Sequence, residues 1–180
     1  MLFDSCQIIR HRQGEFSTFY EKHALEGHGV NLQVLTHKDA TSYFDLYRRA
    51  FPYAIHAGER AEEFALRIAV FSEMVWTIRL AAQPLTIIGD FALRNWDEEK
   101  GNIAFDGSLL PEFRGRGIMT TAFQLATTFA RDNYQLKTIS CQTVLSNERA
   151  LRFVNKLGFE PFDVGADVIV LKKALNKLEV

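Results

Sequence analysis

The chain has 180 residues, 47% of them hydrophobic and 24% charged, which is the length of one domain with a core large enough to carry a concave pocket. A formal net charge of -1 gives no broad basic surface for non-specific nucleic-acid binding. No stretch approaches the roughly 20 apolar residues of a membrane span, and Cys6 and Cys141 stand alone, without CxxC spacing or clustered histidines, which argues against a structural zinc site.

Met1 to Gln13 carries an acidic residue and no apolar run of signal-peptide length. With two lone cysteines this fits a reducing compartment, and the expectation is a soluble, cytoplasmic protein. Short strands are expected near Cys6–Arg10 and Phe16–Tyr20, followed by a joint at Gly27-His28-Gly29. Residues 1–29 are therefore read as an extension and 30–180 as the domain proper.

Asn31–Leu35 reads as a strand. Thr36-x-x-Asp39 has the form of a helix-starting box, with Asp in place of the usual Glu. Apolar residues then recur at helical spacing through Ala40, Tyr43, Phe44, Tyr47 and Phe51, and Pro52 stops that helix. Ala61, Phe64, Ala65, Ile68 and Phe71 mark a second helix. Strands follow at about Val75–Ala81 and Leu85–Leu93, joined at Gln83-Pro84. Arg94–Lys100 reads as a polar loop and Asn102–Leu110 as a third strand of the meander. Gly117–Arg131 is a helix with an apolar stripe at Ile118, Ala122, Leu125 and Phe129. Leu136–Val144 is a strand, and Asn147–Leu157 a helix ended by Gly158. Phe159–Val164 and Asp167–Leu171 are the last strands. This order predicts a mixed α/β sandwich, with helices on both faces of a central sheet.

The sharpest local feature is the passage from the strand at Asn102–Leu110 through Pro111-Glu112-Phe113 and Arg114-Gly115-Arg116-Gly117 into a helix. The first amides of a helix have no partner within it, and the helix dipole places partial positive charge there. Glycines let the backbone approach a phosphate. Arg114 and Arg116 add full charges, and the Thr120 hydroxyl is a further donor. A pyrophosphate is the ligand such a turn fits. It is neither a Walker loop, since GxxxxGK[ST] is missing, nor the dinucleotide fingerprint, which needs Gly at Thr120.

Leu109-Leu110-Pro111-Glu112-Phe113-Arg114-Gly115-Arg116-Gly117-Ile118-Met119-Thr120 resembles the acetyl-CoA signature R/Q-x-x-G-x-G/A of the GNAT superfamily of N-acetyltransferases. Met119 stands where that superfamily has Gly or Ala. Met followed by Thr is similar to the branch of ribosomal-protein N-terminal acetyltransferases. Downstream, Asn147-Glu148-Arg149-Ala150 with Lys156-Leu157-Gly158-Phe159 resembles N-x-x-A/S…K-x-G-F. Together with Ile88-Gly89, the likeness spans about residues 30–173.

The resemblance implies a mostly antiparallel sheet of about seven strands, with a splay between the fourth and fifth core strands. It implies acetyl-CoA as co-substrate, without a metal. The backbone amides of Arg116, Gly117, Ile118, Met119 and Thr120 would hold the pyrophosphate, beside Arg114 and Gly115. Leu109 and Leu110 would pair with pantetheine, and the Leu109 amide would stabilise the oxyanion as an amine attacks. Asn147 would bond the pantetheine arm or a water, or serve as a plain helix cap; the two are compatible. Phe153 would pack on the cofactor or in the core.

The same resemblance exposes a departure. The Tyr acid of many relatives is replaced by Val154, and the Ser of some ribosomal-protein enzymes by Ala150. Asp106, on the strand beside the thioester site, is the preferred substitute base; Asp90, Ser108 and Cys141 are the others. The acceptor side falls to Tyr47, Arg48, Phe51 and Tyr53. The expected activity is transfer of acetyl to a primary amine, a protein N-terminus or a small molecule, by a monomer or homodimer with no nucleic-acid or membrane partner. The alternatives are an acyl-CoA-binding module without turnover and a scaffold that keeps only the fold.

Overall fold

The computed structural model describes residues 23–175. The strands expected near Cys6–Arg10 and Phe16–Tyr20 lie outside that range. The described residues build a mixed α/β fold on an eight-stranded sheet in the order β1-β2-β3-β4-β5-β6-β8-β7. In chain order the elements are β1 (Leu25–Gly27), β2 (Val30–Val34), α1 (Ala40–Ala50), α2 (Ala61–Val70), β3 (Met74–Leu80), β4 (Gly89–Asp97), β5 (Asn102–Leu109), α3 (Ile118–Tyr134), β6 (Thr138–Val144), α4 (Glu148–Lys156), β7 (Glu160–Val164) and β8 (Val168–Ala174). Among the described residues, 23–92 together with 107–127 form one compact unit, and 93–106 with 128–175 form a second.

In the first unit, β1 and β2 form a hairpin, pairing Gly27 with Val30 across His28 and Gly29. Both turn residues have positive φ, 48° and 76°, as a two-residue turn that follows the strand twist requires. The joint expected at Gly27–Gly29 is thus the inside of a hairpin. Three residues were too few to signal β1 by periodicity, so the sheet has eight strands where about seven were expected.

The helix-starting box forms as the sequence predicts. Thr36 accepts from Lys38 N–H, and the Asp39 carboxylate reaches back to the Thr36 amide at 2.9 Å. Asp39 also pairs with the buried Arg79 at 2.6 Å, which ties the start of α1 to β3. The helices cover both faces of the sheet here. Ala92 packs into a cluster with Tyr43, Leu46, Phe64 and Ala65 of α1 and α2. Its strand neighbour Phe91 meets Phe123 of α3, ring centroids 6.4 Å apart, and adjacent strand residues point to opposite faces.

In the second unit β6 is flanked by β8, antiparallel over seven residue pairs from Thr138–Ala174 to Val144–Val168. Its parallel ladder with β5 is short. It pairs Asn102, Ile103 and Ala104 with Thr138, Ile139 and Ser140, while β5 runs on to Leu109 and β6 to Val144.

While α3 runs to Tyr134 rather than Arg131 and β8 to Ala174 rather than Leu171, the largest boundary differences are both in β4. The strand begins at Gly89 rather than Leu85, because a Leu80–Gln83 bridge closes a tight turn and leaves Leu85 exposed. It also runs to Asp97, through the segment read as a polar loop. Trp96 explains this: it packs against Tyr134 at 5.4 Å, while Asn95 is exposed. A strand with one wet face reads as a loop when its polar residues cluster.

Candidate active site

The strand–turn–helix passage has the form that an anion site needs. A short 3-10 turn at Pro111–Phe113 leads to Gly115 and Gly117, with φ of 75° and 78°. A side chain added at either glycine would meet no atom within 4 Å, so the turn faces open space. The Gly117 carbonyl accepts the first helical bond, from Thr121 N–H at 3.0 Å. Gly117 has no side chain to cap the helix. The amides of Ile118, Met119 and Thr120 therefore lack an intrahelical acceptor, at the positive end of a 17-residue helix.

The two arginines have different settings. Arg116 is exposed and stacks over Phe113 at 5.7 Å. Arg114 folds back, its Nε donating to the Leu109 carbonyl at 2.8 Å. A pantetheine chain pairing with Leu109 would share that carbonyl with Arg114. Arg49 of α1 donates to Glu112 at 2.9 Å and ties the turn to the first helix.

Met119, the departure from the superfamily pattern, is accommodated by a residue that sequence reasoning passed over. A Cβ at Gly107 would come within 3.4 Å of the Met119 thioether, so the absence of a side chain at Gly107 makes room for Met119.

Asp90 is fully buried. One carboxylate oxygen accepts from Tyr43 at 2.6 Å and Tyr47 at 2.7 Å. The other accepts from the Ser108 amide at 2.9 Å and from the Ser108 hydroxyl. Burial first, and the charge of Asp90 second, push the Tyr43 phenol far above its usual range, so it stays a donor at any ordinary pH. The sequence marked Asp90, Tyr47 and Ser108 separately. Their convergence, and the part of Tyr43, required the fold, since Tyr43 and Asp90 lie 47 positions apart.

Of the residues expected on the acceptor side, Tyr47 packs against Phe51 in a tilted pair with ring centroids 5.7 Å apart, and Phe51 meets Tyr53 edge to face at 6.3 Å, ending at an exposed Tyr53. Arg48 is exposed and paired with Asp45 at 2.9 Å.

Asp106, Cys141, Asn147 and Phe153 belong to the second unit. Asp106 is half-exposed and ion-paired with Arg94. Asn147 is the cap of α4, its Oδ1 accepting from Ala150 N–H at 3.2 Å. Phe153 is half-buried and Val154 buried. Burial pushes the Cys141 thiol up to about 11, so it is neutral near pH 7 and no nucleophile. Among the described residues no group of three or more His, Cys, Asp or Glu is placed to hold a metal, and no helix is long and apolar enough to cross a membrane.

The acetyltransferase (GNAT) domain family matches residues 30–160, and the chain belongs to that family. Among solved structures, ribosomal-protein-S5-alanine acetyltransferase from Vibrio fischeri is 18% identical with a TM-score of 0.69, over 84% of this chain and 96% of that one. The ribosomal L7/L12 alpha-N-protein acetyltransferase RimL is 12% identical with a TM-score of 0.70, over 86% and 97%. The microcin C7 self-immunity acetyltransferase MccE, solved with acetyl-CoA and AMP, is 15% identical with a TM-score of 0.68, over 83% and 94%. At these identities the likeness is one of fold. No match was found among curated protein sequences.

Proposed function

We propose that the chain transfers acetyl from acetyl-CoA to a primary amine by direct attack in a ternary complex. The observation that carries this is the Gly115–Gly117 turn, open to solvent at the uncapped start of α3 and flanked by two arginines. A CoA pyrophosphate supplies the charge that those amides lack. MccE, of similar fold, was solved with acetyl-CoA.

In this reading the amides of Arg116 to Thr120 hold the pyrophosphate. Leu109 and Leu110 align pantetheine, and Phe153 packs on it. The NH2 of Asn147 donates to its arm while Oδ1 caps α4. The Leu109 N–H points at the thioester oxygen and stabilises its developing charge. Asp106 accepts the amine's proton through a water, since an ammonium has no lone pair to attack with. Protein N-termini are the first-choice acceptor, because Met119-Thr120 and two fold neighbours named for ribosomal-protein acetylation point the same way. The protein works in the cytoplasm as a monomer or homodimer, with residues 1–29 as an extension of the domain.

A specific observation favours a second reading, an acyl-CoA-binding module without turnover. Val154 is buried and Ala150 is an alanine, so neither position offers the hydroxyl that relatives use to protonate the leaving thiolate.

Calorimetry with acetyl-CoA on the wild type and Gly117→Glu tests the donor side, and thiol release across a panel of amines and N-terminal peptides tests turnover. Binding by the wild type, at least tenfold weaker binding by the variant, and release with a peptide are expected. No binding by the wild type would overturn both readings, and binding without release from any amine would favour the module. Asp106→Asn with full turnover would remove Asp106 as the base.

A further inference from the structure

Where β4 meets β5, the Asp90 side chain takes part in the hydrogen bonding between the strands. Leu110 N–H donates to the Ile88 carbonyl at 2.9 Å. In an antiparallel pair the next bond on that side joins Ser108 N–H to the carbonyl of Asp90. The Ser108 N–H donates to the carboxylate of Asp90, at 2.9 Å. The strands cross unusually closely at this rung. A Cβ at Gly89 would lie 2.3 Å from the Ser108 carbonyl oxygen, and one at Gly107 would lie 3.0 Å from the Asp90 carbonyl oxygen.

The carboxylate is saturated. Two donors of Ser108 hold one oxygen, and the phenols of Tyr43 and Tyr47 hold the other. A fully buried carboxylate is costly unless donors surround it, so the cluster holds one geometry. With all its acceptor positions taken, Asp90 is poorly placed to receive a substrate's proton.

Amides alternate in direction along a strand. Ser108 and Leu110 donate toward β4, so the Leu109 N–H points to the opposite edge of β5. We infer that Asp90 is a positioning residue: it fixes the Ser108 peptide and thereby the aim of the Leu109 amide, and through Tyr43 and Tyr47 it couples that aim to α1. This rests on the acetyl-transfer reading above, in which Leu109 N–H meets the thioester oxygen and α1 lines the acceptor side. The coupling lets the seating of an acceptor against α1 reach the oxyanion donor without a direct contact between them.

The test is infrared difference spectroscopy of [1-13C]acetyl-CoA bound to wild type, Asp90→Asn and Tyr47→Phe, together with kcat for the best acceptor and the Kd of CoA. A correctly aimed amide lowers the stretching frequency of the bound thioester carbonyl, which a purely structural role would not alter. In Asp90→Asn the carbonyl should return to its frequency in free acetyl-CoA. Its kcat should fall roughly tenfold or more, short of the 10²- to 10³-fold lost with a whole oxyanion donor, while the Kd of CoA moves less than about threefold. Tyr47→Phe should show a partial frequency shift and a loss of about two- to fivefold.

A wild-type frequency retained in both variants overturns the inference, whatever their rates. If Asp90→Asn does not fold, Tyr47→Phe decides alone, and an unchanged frequency and kcat in it overturn the inference. Acetyl-CoA bound to wild type without any carbonyl shift overturns the Leu109 role and this inference with it. No acetyl-CoA binding by wild type overturns the acetyl-transfer reading itself, a result that the CoA calorimetry distinguishes.

Discussion

Gly89 and Gly117 are glycines for opposite reasons. At Gly89 the backbone is unremarkable, but the space is filled: a methyl group would sit 2.3 Å from the Ser108 carbonyl oxygen, and a backbone atom cannot rotate away. At Gly117 the space is open and the conformation is the constraint, with φ at 78°. Gly89→Ala should therefore lower stability by about 2–3 kcal/mol, the upper part of the overpacking range. Gly117→Ala should cost only about 1 kcal/mol, the strain of a left-handed residue, yet weaken CoA binding by twisting the amides. Urea unfolding paired with CoA calorimetry checks both. Equal losses of stability at the two sites would contradict the argument. Gly117 stood out in the sequence because its neighbours are themselves a motif. The crowding at Gly89 did not, since it arises from a strand about twenty residues away.

Between α1 and α2, the segment that carries Tyr53 is pinned by one arginine. Arg67 donates to both oxygens of Glu59, at 2.6 and 2.8 Å, and to the Ala54 carbonyl at 2.8 Å, and it lies over the Phe64 ring at 5.2 Å. Hydrogen bonds from that guanidinium hold the Glu59 carboxyl down at about 2, below its ordinary 4.5. A group whose pKa is lower in the folded than in the unfolded state stabilises the fold above its unfolded value. That stabilisation should be complete above about pH 5 and disappear as pH falls from there toward 2. Charge-assisted bonds of this kind contribute about 1.5–3 kcal/mol. Glu59→Gln should lower stability at pH 7 by about that amount and flatten the loss between pH 5 and 2 in urea unfolding curves. A variant with the same acid limb as wild type would show that Glu59 is not the titrating group. The helices on either side were legible because an amphipathic helix repeats its signal every turn. The clamp joining them was not, because a Glu and an Arg eight positions apart are indistinguishable in sequence from two solvated charges.

Across the molecule, the donor side was readable and the acceptor side less so, for a physical reason. Binding a pyrophosphate needs contiguous backbone, so in the proposed reading Arg114 to Thr120 form its site as one string. Receiving an amine takes side chains from elements far apart in sequence, and a single sequence does not show such a convergence. Asp90 illustrates this: offered by the sequence only as one of several substitute bases, it lies at the centre of a four-donor cluster. The same contrast gives a test on the intact protein that needs no acceptor. If the α3 turn holds the pyrophosphate, CoA should stabilise the chain while pantetheine, which lacks that group, should do so far less at equal concentration. A ligand at a hundred times its Kd adds about 2.7 kcal/mol to the folded state. For a chain of this size that raises the melting temperature by about 5–11 °C. Raising the salt concentration should shrink the CoA shift, since exposed Arg116 and the helix end act through screened charge, and leave the pantetheine shift nearly unchanged. Equal shifts with the two ligands, or a CoA shift indifferent to salt, would move the binding energy off the turn and onto the pantetheine arm.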